Sequence, residues 1–258
     1  MLRWCVLGSG SEGNALVIEA SAGLFTTRVL VDNGFGPRAL AQRLGRVGLA
    51  LDDLDAVFVT HEHSDHASGV AALLKKRRIP LLTSAGTRQA ADLAHEGIDW
   101  RPMRDGITLD LGELRITPYA VPHDAAEPLQ LVVTDGDRRF GLLTDIGVPT
   151  AAVARALDGV HALQLECNHD AGMLMNGDYP GFLKQRIAGE RGHLSNAQAA
   201  TLLSMVDRSR LRTVAAAHLS RSNNRAPLAR AALAPVIGCA AEIVAVADQD
   251  LGLDWTEV

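Results

Sequence analysis

The chain has 258 residues, of which 47% are hydrophobic, and it carries a formal net charge of −5 at pH 7. That length and composition allow a substantial buried core, and the acidic balance argues against indiscriminate binding to nucleic acid. No apolar run approaches the roughly 20 residues needed to cross a bilayer, and the first residues do not form a signal peptide. We therefore expect a soluble, cytoplasmic protein with no obligate protein partner.

Short apolar runs alternate with helical segments along the chain, which is typical of an α/β protein. The predicted strands are Ala15–Glu19, Arg28–Asp32, Ala56–Thr60, Leu81–Ser84, Leu114–Val121, Leu129–Thr134, Arg139–Thr144, Ala162–Glu166, Thr213–His218 and Ile243–Val246. The predicted helices are Pro37–Leu44, Ala67–Lys76, Thr87–Ala94, Thr150–Ala156, Tyr179–Ile187, Asn196–Met205 and Pro227–Leu233. Pro37 and Pro227 suit a first helical turn, and Ser195 suits a helix N-cap. Because no linker divides the chain, we expect one domain covering residues 1–258.

Metal-ligating side chains are concentrated in the sequence His61-Glu62-His63-Ser64-Asp65-His66, directly after the predicted strand 56–60. Imidazole nitrogen and carboxylate oxygen are suitable ligands for zinc, iron or manganese. Two such ions, placed close together, can stabilise both sides of a displacement at phosphorus or carbonyl carbon. A histidine-rich loop without metal is the alternative, but three histidines in six residues beside a strand end favour a metal site.

A pattern occurs twice in the chain, at Leu30–Gly34 and at Leu143–Gly147. Each copy consists of an apolar strand, an aspartate and a glycine two residues later. Two similar half-folds, each with strands and covering helices, predict a four-layer αββα sandwich. Side chains at the strand ends would then converge on one edge between the two sheets.

Five motifs in order resemble those of the metallo-β-lactamase superfamily. They are Leu30–Gly34, the His-x-His-x-Asp-His pattern at 61–66, His123, Leu143–Gly147 and His218. Further motifs resemble the YycJ/WalJ-like branch of that superfamily, namely Ser9–Asn14, Glu166–Asp170, Tyr179–Ile187, Gly192–Asn196 and His218–Asn224. The resemblance implies the αββα metallo-β-lactamase fold and a dinuclear metal-dependent hydrolase. It also implies a phosphodiesterase that acts on DNA as a 5′-to-3′ exonuclease.

The resemblance further implies a ligand set for two divalent transition-metal ions, zinc or manganese, with iron as a further option. One ion would be held by His61, His63 and His123, and the other by Asp65, His66 and His218. Asp145 would bridge the two ions, and Asp32 would orient a ligand imidazole through its other ring nitrogen. A hydroxide shared by the ions would attack the substrate, and Asp65 would accept or relay a proton.

Two further histidines have an open role. For His169 and His193, phosphate binding or protonation of the leaving group is weighed against a purely structural function. Substrate contacts are expected from Asn168 and from the loop after His218, through Arg221, Asn223, Asn224 and Arg225.

The charge distribution motivates that expectation. Nine basic residues lie between Lys184 and Arg230, against only Glu190 and Asp207, so this segment carries +7 and the remainder −12. Such asymmetry is a footprint of phosphate recognition, although Arg208, Arg210 and Arg212 also suit a solvated surface.

Other functions use the same core. Thioester, lactone and RNA phosphodiester hydrolysis stay open as alternatives. A diiron redox protein of the flavodiiron type would carry a glutamate where this chain has His63. An inactive regulator is the remaining alternative, but such proteins usually lose ligands, whereas the set here is intact.

Overall fold

The computed structural model describes residues 1–258 and contains fourteen strands and nine helices. The strands are β1 (Leu2–Gly8), β2 (Ala15–Ala22), β3 (Phe25–Val31), β4 (Ala56–Phe58), β5 (Leu81–Thr83), β6 (Trp100–Pro102), β7 (Leu109–Leu111), β8 (Leu114–Ala120), β9 (Leu129–Thr134), β10 (Arg139–Leu143), β11 (Ala162–Glu166), β12 (Thr213–Ala217), β13 (Ala245–Val246) and β14 (Leu253–Glu257). The helices are α1 (Pro37–Arg46), α2 (Ser64–Ala67), α3 (Val70–Lys76), α4 (Ala85–Ala90), α5 (Ala151–Ala156), α6 (Ala171–Asn176), α7 (Gly181–Ile187), α8 (Asn196–Met205) and α9 (Ala226–Ile237).

The strands form two seven-stranded mixed sheets. The first has the order β14-β1-β2-β3-β4-β5-β6, and the second has the order β13-β12-β11-β10-β9-β8-β7. In the first sheet, β1 to β3 pair antiparallel and β3 to β6 pair parallel. In the second, β7 to β10 pair antiparallel and β10 to β13 pair parallel. The two halves therefore share one plan, as the repeated pattern in the sequence predicted.

Three apolar clusters hold the layers together. A cluster of 24 buried residues, including Trp4, Phe58 and Phe140, joins the inner faces of the two sheets. A second cluster packs the first sheet against α1 and α3, and a third packs the second sheet against α5, α8 and α9. The order of layers is helix, sheet, sheet, helix, so the predicted αββα sandwich is confirmed.

The structure differs from the predicted elements in several places. The strands β1, β6, β7 and β14 and the helix α6 were not predicted. Six of the seven residues in β1 are buried, so this strand shows no alternation of polar and apolar residues. The predicted helix Ala67–Lys76 is instead two helices, because Gly69 donates its N–H to the carbonyl of Asn33 between them.

Other local predictions are confirmed. α1 begins at Pro37, and α9 has Pro227 in its first turn. The Ser195 hydroxyl accepts a hydrogen bond from the Gln198 N–H, and the Gln198 side chain accepts one from the Ser195 N–H. This reciprocal pair satisfies two backbone donors at the start of α8.

Three residues just beyond strand ends have left-handed backbone conformations, at φ 59° for Asp32, 52° for Asp145 and 55° for His218. They follow β3, β10 and β12, whose carboxyl ends lie at the same edge of the sandwich. Such values are uncommon outside glycine and recur at functional sites. None of the nine helices is long and apolar enough to cross a membrane.

Candidate metal centre

A cavity of about 380 Å³ opens at the edge where these strand ends meet. Its lining combines imidazoles and carboxylates from both sheets with residues of α7. The lining residues are Ser11, His63, Ser64, Asp65, Asp124, Asp145, Tyr179, Leu183, Arg186, Ile187, Gly192, His193 and His218.

One donor cluster consists of His61, His63 and His123. His61 Nδ1 lies 2.9 Å from the Thr60 hydroxyl, and the Nε2 atom of the same ring is buried with no hydrogen-bond partner. His123 donates from Nδ1 to the carbonyl oxygen of Gly192 at 3.1 Å, and its Nε2 lies 3.3 Å from His63 Nδ1. Each of these two rings is therefore held by one nitrogen while the other points into the cluster.

The second donor cluster consists of Asp65, His66 and His218. Asp65 Oδ2 lies 3.5 Å from the Nε2 atoms of both histidines. His66 donates from Nδ1 to Asp32 Oδ2 at 2.8 Å, so Asp32 holds this ring through one nitrogen. The Nε2 atom of His218 is buried and, like that of His61, has no hydrogen-bond partner.

Asp145 lies between the two clusters. Its Oδ2 is 2.9 Å from His66 Nε2 and accepts a hydrogen bond from the Thr144 hydroxyl at 2.8 Å. Its Oδ1 is 3.2 Å from His193 Nδ1 and 3.4 Å from His218 Nδ1. Asp145 also forms a compact donor group with His61 and His66, one residue from each cluster.

Burial and charge set the protonation of these groups. Burial lowers the pKa values of His61 and His123, which favours the neutral imidazole that a metal requires. Burial acts to raise the pKa values of Asp65 and Asp145, but the neighbouring imidazoles outweigh it and lower both. Burial also opposes the charge on His193, yet Glu166 and Asp145 raise the pKa of His193 to about 10.

Glu166 is a site residue that the sequence reasoning missed. It ends β11 as a fully buried carboxylate, and its Oε1 accepts from His193 Nδ1 at 2.8 Å and from His218 Nδ1 at 3.2 Å. Its Oε2 accepts the backbone N–H groups of Ile146 and Leu194. Both oxygens are thus occupied, and the carboxylate fixes the orientation of two imidazoles. The available signal was its place at the start of the Glu166–Asp170 motif, directly after an apolar strand.

The residues present fit a divalent-metal site. Nitrogen and oxygen donors from two sheets converge, and the buried Nε2 atoms of His61 and His218 have no hydrogen-bond partner. An unpaired buried polar atom is costly, so these nitrogens require a ligand that accepts their lone pairs. This donor set suits zinc or another first-row transition metal.

No residue of the loop after His218 is among the residues that line this cavity. Arg221 pairs with Asp250 at 2.7 Å and with Glu12 at 3.2 Å. Arg225 donates to the backbone carbonyls of Arg221 and Asn224. These partners occupy both guanidinium groups, and neither arginine is among the lining residues.

The predicted asparagines and His169 are also internal. Asn223 and Asn224 are each 2% exposed, and Asn224 donates to the Cys167 carbonyl at 2.7 Å. Asn168 donates to the His218 carbonyl at 3.1 Å, so it positions a predicted ligand without reaching the cavity. His169 is 2% exposed and is absent from the cavity lining, and its backbone bridges to Ser195.

Of the nine basic residues between positions 184 and 230, one lines the cavity, and that residue is Arg186. Its Nε donates to Asp124 Oδ2 at 2.7 Å, and Asp124 Oδ1 in turn lies 3.4 Å from His123 Nε2. The sequence signal for this placement was that Arg186 lies within the Tyr179–Ile187 motif. The cationic contact at the cavity therefore comes from α7 rather than from the loop after His218.

The fold and this donor set define a metal-dependent hydrolase. A family profile described as "Beta-lactamase superfamily domain" matches residues 27–214. Exodeoxyribonuclease YycJ of Bacillus anthracis is 32% identical over 239 residues, covering 92% of this chain and 89% of that protein. Exodeoxyribonuclease WalJ of Streptococcus pneumoniae is 31% identical over 258 residues, covering 98% and 92%. The chain belongs to the beta-lactamase superfamily and, within it, to the YycJ/WalJ-like branch.

A solved structure supports the fold alone. The metallo-beta-lactamase fold protein YhfI from Bacillus subtilis superposes with a TM-score of 0.75 at 18% identity, covering 100% of both chains. At that identity, the superposition supports the arrangement of both sheets and their helices. It gives no information on the chemistry of the site.

Proposed function

We propose that this protein is a dinuclear metal-dependent phosphodiesterase that degrades DNA from a 5′ end. The observation that carries the proposal is the pair of three-residue donor clusters with Asp145 between them. Two relatives at 31–32% identity over nearly the whole chain are exodeoxyribonucleases by name, which supports DNA as substrate. Arg186 supplies a cation at the cavity, as recognition of phosphate requires.

His61, His63 and His123 would hold one ion, and Asp65, His66 and His218 the other, with Asp145 shared. Bound divalent ions lower the pKa of a water and neutralise charge on the attacked phosphate. The protein supplies the geometry, since Asp32 and Glu166 each fix a ligand imidazole through its Nδ1 atom.

Proton movements are assigned to Asp65 and His193. The Asp65 side chain is 22% exposed and lines the cavity, so its carboxylate can accept a proton from the attacking water. His193 lines the same cavity and holds its Nδ1 proton against Glu166, which leaves Nε2 to donate to the leaving oxygen. His169, being outside the lining, is assigned no contact with substrate.

The test combines metal content with a substrate panel. Protein purified without chelator should contain close to two transition-metal ions per chain by elemental analysis, with zinc or manganese expected. The loaded protein should release nucleotides from DNA labelled at the 3′ end, beginning at the 5′ end. Labelled RNA, a thioester and a lactone serve as comparison substrates. A protein without metal, or one that hydrolyses the thioester or lactone while leaving every nucleic acid intact, would contradict the proposal.

A further inference from the structure

The segment Tyr179–Ile187 forms one wall of the cavity, and the proposed chemistry uses only Arg186 from it. None of the seven residues of α7 is buried, so this helix contributes nothing to the apolar clusters of the sandwich. Its neighbour α6 buries a single residue, Leu174. A helix of a globular protein normally buries one apolar face, so the apolar residues of α7 require another explanation.

Two of those residues, Leu183 and Ile187, line the cavity together with Tyr179, which lies just before the N-cap residue Pro180. Tyr179, Leu183 and Ile187 are spaced four residues apart, and all three line the cavity. Leu183 and Ile187 share one side of α7, one turn apart, and Tyr179 joins them in the lining from the segment before the helix. The face forms an aromatic and aliphatic stripe that is half-buried and directed at the cavity. Ser11 and Ser64, whose side chains are exposed, lie on the polar part of the same lining.

The stripe is fixed relative to the reactive groups. The His193 N–H donates to the carbonyl of Ile187 at 2.8 Å, which joins the end of α7 to the proposed acid. Arg186 Nε donates to Asp124, and Lys184 Nζ donates to the carbonyl of Met175 at 2.8 Å. Gly192 lies so close that an added Cβ would be 2.2 Å from the Ile187 carbonyl oxygen. The wall is therefore tied to the metal-facing loops on one side and to α6 on the other.

From this geometry we infer that the Tyr179–Leu183–Ile187 stripe is a stacking platform for the nucleobase next to the scissile phosphate. The inference rests on the proposed function and specifies how the substrate is held. A nucleotide presents a charged phosphate and a flat apolar base a few ångströms apart. The cavity presents the matching pair of surfaces, with imidazoles, carboxylates and Arg186 on one side and the stripe on the other.

The charge beside the stripe favours nucleic acid as its occupant. Lys184 and Arg186 lie on the same helix and Arg191 follows it, against Asp178 and Glu190 in the adjoining sequence. Base stacking on apolar and aromatic side chains tolerates any base, which suits an enzyme that removes successive nucleotides. A stacking platform would explain why this wall presents apolar side chains to the cavity and basic side chains beside them.

The experiment compares two oligonucleotides in the metal-loaded full chain. One is ordinary DNA, and the other lacks the bases of the first two nucleotides at the 5′ end while keeping every phosphate. Tyr179→Ala and Leu183→Ala should each lower kcat/KM for the ordinary substrate by about 10-fold, since each stacked base contributes a factor of that order. The same variants should leave kcat/KM for the base-free substrate unchanged, and Tyr179→Phe should behave like the wild type on both.

Phe182→Ala is the matched control, because Phe182 lies on the same helix, is 74% exposed and does not line the cavity. It should cleave both substrates at the wild-type rate. Equal losses on the two substrates in Tyr179→Ala and Leu183→Ala would overturn the platform, as would a wild-type protein that does not distinguish the substrates. A wild type inactive on both substrates refutes the proposed function itself, so the two failures are distinguishable.

Discussion

Two aspartates occupy corresponding turns in the two halves of the sandwich. Asp32 follows β3 and Asp145 follows β10, and each of these strands is the one at which its sheet changes from antiparallel to parallel pairing. Their φ angles, 59° and 52°, place both in the left-handed region. Gly34 and Gly147, two residues later, have no room for a side chain, since an added Cβ would lie 2.0 and 2.2 Å from a backbone oxygen.

The two carboxylates have different neighbours. Asp32 accepts hydrogen bonds from the N–H and hydroxyl of Thr60 and from His66 Nδ1, at 2.8 to 2.9 Å. Asp145 instead faces three imidazoles, those of His66, His193 and His218. The two aspartates therefore contact opposite nitrogens of the same His66 ring. The turn fixes where each carboxylate lies, and the surrounding donors determine whether it orients a ligand or is itself available to a metal.

The largest effect is expected from Asp145→Asn, which removes the negative charge but keeps the shape. One or both ions should be lost, because this carboxylate lies between the two donor clusters. A bound metal contributes several kcal/mol of charge stabilisation, so turnover should fall on the order of 10³-fold. Elemental analysis and a nuclease assay measure the two effects. Retention of full metal content and activity would contradict the shared position.

His193→Ala tests the imidazole that faces Asp145 without belonging to either three-residue cluster. Turnover should fall on the order of 10²-fold, the usual scale for general acid catalysis, with little change in substrate affinity or metal content. Steady-state kinetics on labelled DNA separates kcat from KM. His95→Ala, at a position with a 56% exposed side chain, is the control and should be unchanged. Wild-type turnover in His193→Ala would make that histidine structural.

Asp32→Asn should have a smaller effect than Asp145→Asn, because Asp32 acts on the metal only through His66. Loss of such an orienting carboxylate typically lowers metal affinity or activity by about 10- to 100-fold. A metal titration of both variants under the same conditions measures the difference. Equal losses of metal affinity in the two variants would contradict the different roles assigned to Asp32 and Asp145.

As with the two aspartates, the groups that surround each arginine determine whether its side chain can contact substrate. Arg186→Ala should weaken DNA binding and flatten the log–log salt dependence by roughly 0.7–0.9, the value for one phosphate contact. Arg221→Ala with Arg225→Ala should leave that slope unchanged, because their guanidinium groups have protein partners outside the cavity. Binding isotherms at several salt concentrations distinguish the two. A flattened slope in the double variant would instead indicate that the loop after His218 contacts phosphate.

Another buried carboxylate, outside the cavity lining, also has a protonation state that its neighbours determine. Glu19 is 2% exposed and accepts from Arg3 and Arg28 at 2.6 Å. Burial acts to raise its pKa, but the two guanidinium groups outweigh it and lower the pKa. Glu19→Gln should reduce the free energy of unfolding at pH 7 by about 2 kcal/mol, as for hydrogen bonds to charged groups.

The sign of the pH dependence follows from the lowered pKa of Glu19. Its stabilisation is complete above the pKa of the unfolded chain, about 4.3, and is lost as the pH falls through the lower pKa of the folded state. Chemical denaturation of both proteins at pH 7 and at about pH 3 should therefore show the difference shrinking at acid pH. A difference that is constant over this range would exclude the ion pairs as its cause.

The local part of the site could be predicted from the sequence, and the long-range part could not. His61, His63, Asp65 and His66 are close because they are adjacent in the chain, so their pattern alone indicates a metal. Glu166 is an isolated carboxylate at a strand end, and only the folded chain shows that it lies between His193 and His218.

The predicted substrate contacts of the loop after His218 stay a prediction, and their placement depends on the fold for a related reason. The distance of this loop from a predicted ligand was known from the sequence, but the direction of the chain was not. The left-handed conformation of His218 and ion pairs to Glu12 and Asp250, both remote in sequence, determine where Arg221 points. The strand β1 escaped prediction because burial on both faces removes the alternation on which such predictions depend.

The donors of the candidate centre come from both sheets, and this arrangement links metal supply to folding. His61 and His66 follow strands of the first sheet, while His123, Asp145 and His218 follow strands of the second. An ion held by residues of both sets would stabilise the contact between the two halves, because it would bind the assembled sandwich and not the separated halves. Thermodynamic linkage then adds about 2.7 kcal/mol to the free energy of unfolding when free metal is at 100 times its dissociation constant. In a cell, the lifetime of this protein would follow the availability of its metal.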